Sequence, residues 1–205
     1  MPSSTSDMIQ MHDNQKLTSY DHSDYAWVIN RNISEKIHTL ILGPQNCGKS
    51  VLLEENLKQI TPRIYIGTLW RNSYQCNVII DQHQVRRGGG WLLVECTGLI
   101  LQDFSRLDEI ACIHSGNRCV ALFDGLTTLA VHVYREEGTP LLQAAQHIGD
   151  RLRSLLKNSH GVTWWLVDRP GWDWKLSGLS QHAQAAEIIH LAISGQVEIK
   201  TWPNI

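Results

Sequence analysis

The run Gly43-Pro44-Gln45-Asn46-Cys47-Gly48-Lys49-Ser50 has the spacing G-x-x-x-x-G-K-[ST]. Glycines at its two ends let backbone approach a ligand where a Cβ would collide. A lysine and a hydroxyl directly after the second glycine suit a polyphosphate. The loop amides would wrap its oxygens, and the next helix N-terminus would add partial positive charge. Lys49 would reach the terminal phosphates and Ser50 would ligate Mg²⁺. The flanks agree with this reading. Residues 37–42 (Ile-His-Thr-Leu-Ile-Leu) read as a buried strand, and residues 51–59 carry helical spacing with Leu52, Leu53 and Leu57 on one side. Cys47, inside the loop, reads as a small filler in a positive local field that favours its thiolate.

Further residues fall where such a loop could use them. Asp124 ends the apolar run Cys119–Phe123. An acid at the carboxyl end of a core strand points into the crevice beside the phosphates. There it binds Mg²⁺ through water or orients an attacking hydroxyl, the alternative being a strand-end cap. His83 lies in a polar, loop-like stretch with Arg86 and Arg87 close behind. Beside a nucleotide, such a histidine could attack an α-phosphate while the arginines stabilise charge; taken alone, it reads as a solvated loop histidine. Glu95 alone is unremarkable, though its two oxygens suit the N1–H and amino group of guanine.

The elements that must carry these groups alternate. "PRIYIGT" (62–68) reads as a strand, Gly88-Gly89-Gly90 as a flexible stretch, and 91–95 as another strand. Residues 98–110 show helical spacing through Leu99, Leu101, Phe104, Leu107 and Ile110. A long amphipathic helix over 139–158 follows Thr139-Pro140, and "GVTWWLVD" is a core strand ending at Asp168. Residues 180–200 read as a helix, a strand, a tight turn at Ser194-Gly195 and a last strand, with that hairpin antiparallel. Strand–helix alternation implies an α/β fold with a mostly parallel central sheet flanked by helices.

With 205 residues, 42% of them hydrophobic and 19% charged, the chain suits one soluble domain over 37–205. Residues 1–36 read as a partly disordered N-terminal extension, with Tyr25–Ile29 an added strand or a segment lying on the domain. A net charge of −2 gives no basic surplus for nucleic acid or anionic membrane. No apolar run approaches membrane-spanning length, and the N-terminus lacks a secretory pattern. Five irregularly spaced cysteines suggest reduced thiols and a cytoplasmic location. His132, His147, His160, His182 and His190 have no metal-ligand spacing and read as surface or locally satisfied. Trp172 and Trp174 could stack on a flat ligand or a partner; packing over the sheet edge is the preferred reading.

In this order the motifs resemble the bifunctional adenosylcobinamide kinase / adenosylcobinamide-phosphate guanylyltransferase family over residues 37–200. The carriers are the loop ending Gly48-Lys49-Ser50, the strand Tyr65-Ile66-Gly67-Thr68, and the spaced set His83, Arg87, Trp91 and Glu95. Asp124 with Thr127 follows, and the close runs Ile193-Ser194-Gly195 to Ile199-Lys200. The chain differs from the family's usual residues at Pro44, Asn46, Cys47, Ile79, Leu129 and His132. It differs most at Asp168-Arg169-Pro170-Gly171 and the shortened stretch up to Ser180-Gln181, which lies on the acceptor side of the family's site.

The resemblance implies a RecA-like P-loop NTPase fold and a cytoplasmic homo-oligomer, a trimer in the family. It implies a corrinoid substrate, GTP or ATP as phosphoryl donor, and Mg²⁺. GMP would pass from GTP through a histidine, at the position of His83, to adenosylcobinamide phosphate. His83, Lys49 and Asp124 would then be catalytic. Gly43 through Ser50, Thr68, Arg87 and Glu95 would bind nucleotide, and Ser50 and Asp124 the metal. A second expectation is a nucleotide-binding regulatory or assembly protein that kept the loop and lost the corrinoid chemistry. A third is an unrelated P-loop small-molecule kinase.

Overall fold

The computed structural model describes residues 29–71, 74–113 and 119–202. In chain order the elements are β1 (Thr39–Leu42), α1 (Lys49–Leu57), β2 (Arg63–Gly67), α2 (Tyr74–Arg87), β3 (Trp91–Glu95) and α3 (Ile100–Ile113). There follow β4 (Cys119–Asp124), α4 (Leu126–Glu137), α5 (Leu141–Asn158), β5 (Val162–Asp168), α6 (Gly171–Leu176), α7 (Ser180–Ile193) and β6 (Glu198–Thr201). The six strands form one sheet in the order β3-β2-β4-β5-β1-β6, and every pair is parallel. The strand bearing the phosphate loop and the strand ending at Asp124 are thus separated by β5. This is a RecA-like P-loop fold.

Helices on both faces of a parallel sheet bury its strands twice over, so the central strands read as continuous apolar runs. All seven residues of β5 are buried. Strand alternation sends Trp164 and Trp165 to opposite faces. Trp164 joins a core with Ile64, Phe104, Phe123, Ile148 and Ile189, and Trp165 joins one with Ile41, Leu53, Leu57 and Leu122. Residues 29–34 are helical and add Ile29 to the second core. Asn32 fastens that segment by donating to Thr39 Oγ1 (2.9 Å) and Glu198 Oε2 (2.8 Å). The rest of the N-terminal extension, including Tyr25–Val28, lies outside the described residues.

Several expectations are corrected. The closing antiparallel hairpin does not form. Residues 180–193 are one helix, and β6 pairs parallel to β1 with Thr39 opposite Glu198. A parallel neighbour needs a long crossover, and α7 supplies it by burying Ala183, Ala186, Ile189 and Ile193. His83 stands on a helix, α2, not in a loop. In α3, Phe104 and Leu107 are buried and Ile110 packs on the core as expected, but Leu99 and Leu101 are exposed and Ile100 and Ala111 are buried instead. Helix α4 went unread. Trp174 packs on α7 against Ala183 and Ala186, not over the sheet edge.

His132 is buried on α4 rather than at the surface, and its Nδ1 has no hydrogen-bond partner among the described residues. Burial, helped by Arg135 and opposed by Asp103, brings its imidazole down to about 4 from 6.5. The unfolded chain therefore takes up a proton near 6.5 that the folded chain refuses. Stability should be full above that pH and fall as the pH drops from 6.5 towards 4. Urea unfolding across this range should show the decline, and His132→Leu should flatten it.

Candidate functional site

The phosphate loop follows β1 and is held at both shoulders by backbone. Gly43 N–H donates to the Asp168 carbonyl, and Trp202 N–H to that of Leu42. Gly43 is required by packing: a Cβ there would lie 2.6 Å from Trp202 Cβ and 3.0 Å from Lys49 Cδ. Asn46 (φ 59°) and Gly48 (φ 96°) take left-handed conformations that curl the chain into a cup of amides. No side chain caps α1 and no acid stands in its first turn, so its amide end is left for an external anion. Lys49 is buried, and its Nζ donates to the carbonyls of Gly43 (2.7 Å) and Pro44 (2.6 Å), drawing the loop closed. Cys47 Sγ lies 3.5 Å from the same amine.

The facing wall comes from the ends of β2 and β4. Tyr65 donates its hydroxyl to Asp124 Oδ2 at 2.7 Å. The other Asp124 oxygen has no hydrogen-bond partner among the described residues. Thr68 Oγ1 lies 2.7 and 2.8 Å from the carbonyl oxygens of Asp124 and Gly125, fixing the turn that aims the carboxylate. Arg87 spreads its guanidinium over the Tyr65 ring, 3.7 Å from the centroid.

Helix α2 forms the third side. Its polar sequence has little apolar stripe of its own, so charge fastens it. Glu54 of α1, with 3% of its side chain exposed, accepts from Arg86 Nε (2.7 Å) and Nη2 (2.8 Å), and Arg87 stands 3.8 Å away. Burial pushes the Glu54 carboxyl up, and Arg86 and Arg87 pull against that. The helix carrying His83 is thereby tied to the helix that starts at Lys49. His83 is half-buried; burial first, then Arg86, holds its imidazole below 6.5, so it is neutral at neutral pH.

A cleft of about 660 Å³ opens between these walls. Gln45, Asn46, Cys47, Gly48, Lys49, Ser50, Thr68, His83, Arg87, Glu95 and Asp124 all line it. Residues spread from Gln45 to Asp124 are thus brought together, on a scale that suits a nucleotide. Gly43 and Pro44 sit beneath the loop, where their carbonyls hold Lys49. Glu95 stands at the mouth, half exposed, with Arg71 Nε 3.8 Å away.

Sequence reasoning missed Glu54, Tyr65 and Arg169. The available signal for Glu54 was its place between Leu53 and Leu57 on the buried face of α1, where the adjacent Glu55 is exposed. Asp168 is a structural acid: its Oδ2 accepts from Thr127 N–H (3.1 Å) and Oγ1 (2.6 Å) and faces His190 Nε2 at 2.9 Å.

Removing one partner of a buried ion pair strands the other. Glu54→Ala should therefore lower the unfolding free energy by about 3 kcal/mol, and Glu54→Gln, which keeps an acceptor, by less. Thermal or urea unfolding measures both.

Comparison with curated proteins gives no match. The family model for cobinamide kinase / cobinamide phosphate guanyltransferase (CobU) matches residues 39–167, from the first residue of β1 to the penultimate residue of β5. Because that match covers more than half of the chain and contains the whole phosphate loop, α2 and the Asp124 strand end, the chain belongs to the cobinamide kinase / cobinamide phosphate guanyltransferase family.

Proposed function

We propose that the chain phosphorylates the aminopropanol hydroxyl of adenosylcobinamide and then transfers GMP from GTP to the phosphorylated corrinoid through His83. The observation that carries this reading is a neutral histidine sharing one cleft with the phosphate loop. In the kinase step Asp124 would orient the hydroxyl, while the loop amides and Lys49 hold the phosphates. In the transfer step a ring nitrogen of His83 attacks the α-phosphorus of GTP, the N–P bond forms and pyrophosphate leaves. A phosphate oxygen of the corrinoid then attacks the same phosphorus, the N–P bond breaks and His83 is restored. Arg87 supplies fixed positive charge beside these steps, and Glu95 would accept hydrogen bonds from guanine.

The donor set fits Mg²⁺: Ser50 offers a hydroxyl and Asp124 a carboxylate oxygen with no other bond among the described residues. A hard cation of this kind usually keeps waters and takes its remaining ligands from phosphates. Among the described residues no three His, Cys, Asp or Glu could hold a metal ion, which agrees with an ion that arrives with the triphosphate. Bound there, it would neutralise charge on the phosphates. Cys47, Cys96, Cys112 and Cys119 are free thiols, which supports a reducing, cytoplasmic setting. The edge strand β3 exposes Leu92 on the face away from the cleft, which agrees with a homo-oligomer.

Incubation with α-labelled GTP should leave an acid-labile, base-stable label on the protein. His83→Ala should reduce that label to background while magnesium-GTP still binds within a few-fold. GTP uptake without any label would favour the nucleotide-binding regulatory reading.

The labelling rate should also depend on pH with a defined sign. Only the neutral imidazole attacks, and its pKa lies below 6.5. The rate should be flat above neutrality and fall as acid protonates His83, with a half-point below 6.5. A half-point above that value would contradict the buried, arginine-flanked position of the ring.

A further inference from the structure

Arg169 leaves the end of β5 directly beside the phosphate loop and lines the same cleft. Its guanidinium lies over the Trp174 indole, 3.7 Å from the ring centroid. Its Nε donates to Asp173 Oδ2 at 2.7 Å, Nη1 to Gln45 Oε1 at 3.0 Å, and Nη2 to Ser177 Oγ at 2.9 Å. Asp173 Oδ2 also accepts the backbone N–H of Gln45, at 3.3 Å. A carboxylate of the chain itself thus sits on a loop amide, with a planar cation at its side. An amide of such a cup together with an arginine fork is a site for a phosphate oxygen.

The other arginines of the cleft face a buried carboxylate, Glu54. Arg86 is held by two bonds to Glu54, and Arg87 by the Tyr65 ring and Glu54. The charged partner of Arg169 among the described residues is one carboxylate, Asp173, on a six-residue helix; its other bonds go to neutral oxygens of Gln45, Ser177 and the Asp173 backbone. A nucleoside triphosphate, with several negative charges, would compete with that carboxylate for the same donors. Stacking on Trp174 would hold the planar guanidinium in place while its partner changes.

We propose that Arg169 is a phosphate-binding residue of the nucleotide site, taking a polyphosphate oxygen in the place now held by Asp173. Asp173 is the internal competitor for that place. The inference deepens the proposed function and rests on the loop holding a triphosphate.

The test is calorimetry of the full chain with magnesium-GTP and with GMP. Arg169→Ala should weaken GTP about ten- to a hundredfold, the scale of one charge-assisted hydrogen bond, and leave GMP within about twofold of wild type. Arg169→Lys, which keeps the charge and loses the fork, should fall between. Asp173→Asn should tighten GTP several-fold, because it removes the competing charge and keeps a hydrogen-bonding group. A purely structural clasp predicts the opposite sign for Asp173→Asn, since loosening it would weaken both nucleotides alike. Unchanged GTP affinity in Arg169→Ala, equal losses for GTP and GMP, or no tightening in Asp173→Asn overturns the inference. The Asp173→Asn arm decides the matter should Arg169→Ala fold poorly. Wild-type protein that binds no triphosphate would overturn the proposed function as well. Wild-type protein that binds and labels normally, with no dependence on Arg169, overturns this inference alone.

Discussion

The left-handed turn through Asn46 and Gly48, closed by Lys49 on the carbonyls of Gly43 and Pro44, is the constraint on which the site depends. It turns amides of consecutive residues inward and leaves the first turn of α1 uncapped. That local shape holds only because β1 is pinned between β5 and β6. The packing of Trp202 against Gly43 then leaves no room for a side chain there. A loop that must present bare amides has to be supported from below, and the parallel register supplies the support.

Around this cup the charges already have internal partners. Lys49 rests on backbone oxygens, Arg86 on Glu54, Arg87 on an aromatic ring, Arg169 on Asp173, and Asp124 accepts from Tyr65. Unpaired charge in a half-buried cleft would be costly. On the proposed function, ligand entry would exchange one partner for another, and the strength of each internal pairing would decide which groups move. Glu54 holds most firmly because its carboxylate is almost fully buried and bonded twice. As a result the His83 helix keeps a fixed relation to the phosphate loop.

Parts of this arrangement were readable directly from the residues. The strand–loop–helix around the phosphate loop, the strands ending at Asp124 and Asp168, and the helix before Asn158 all announce themselves through spacing or uninterrupted apolar runs. Helix α2 did not, because residues 81–87 are mostly polar and its attachment is an ion pair to a residue some thirty positions away. The closing hairpin was misread because a Ser-Gly turn between apolar runs fits either an antiparallel return or a helix end. Only the open edge of β1, needing a parallel neighbour, chooses between them.

The sequence by itself determined the strand–loop–helix over residues 39–57, since its shape is built from eight consecutive loop residues and needs only glycines, a lysine and a hydroxyl in the right order. It also determined the α/β class, through the alternation of buried strands and helices. The tertiary structure decided which distant side chains meet that segment. His83, Tyr65, Arg87 and Arg169 converge because the strand order places β2, β4 and β5 side by side next to β1. Strand order is set by packing of whole faces, and no local spacing encodes it.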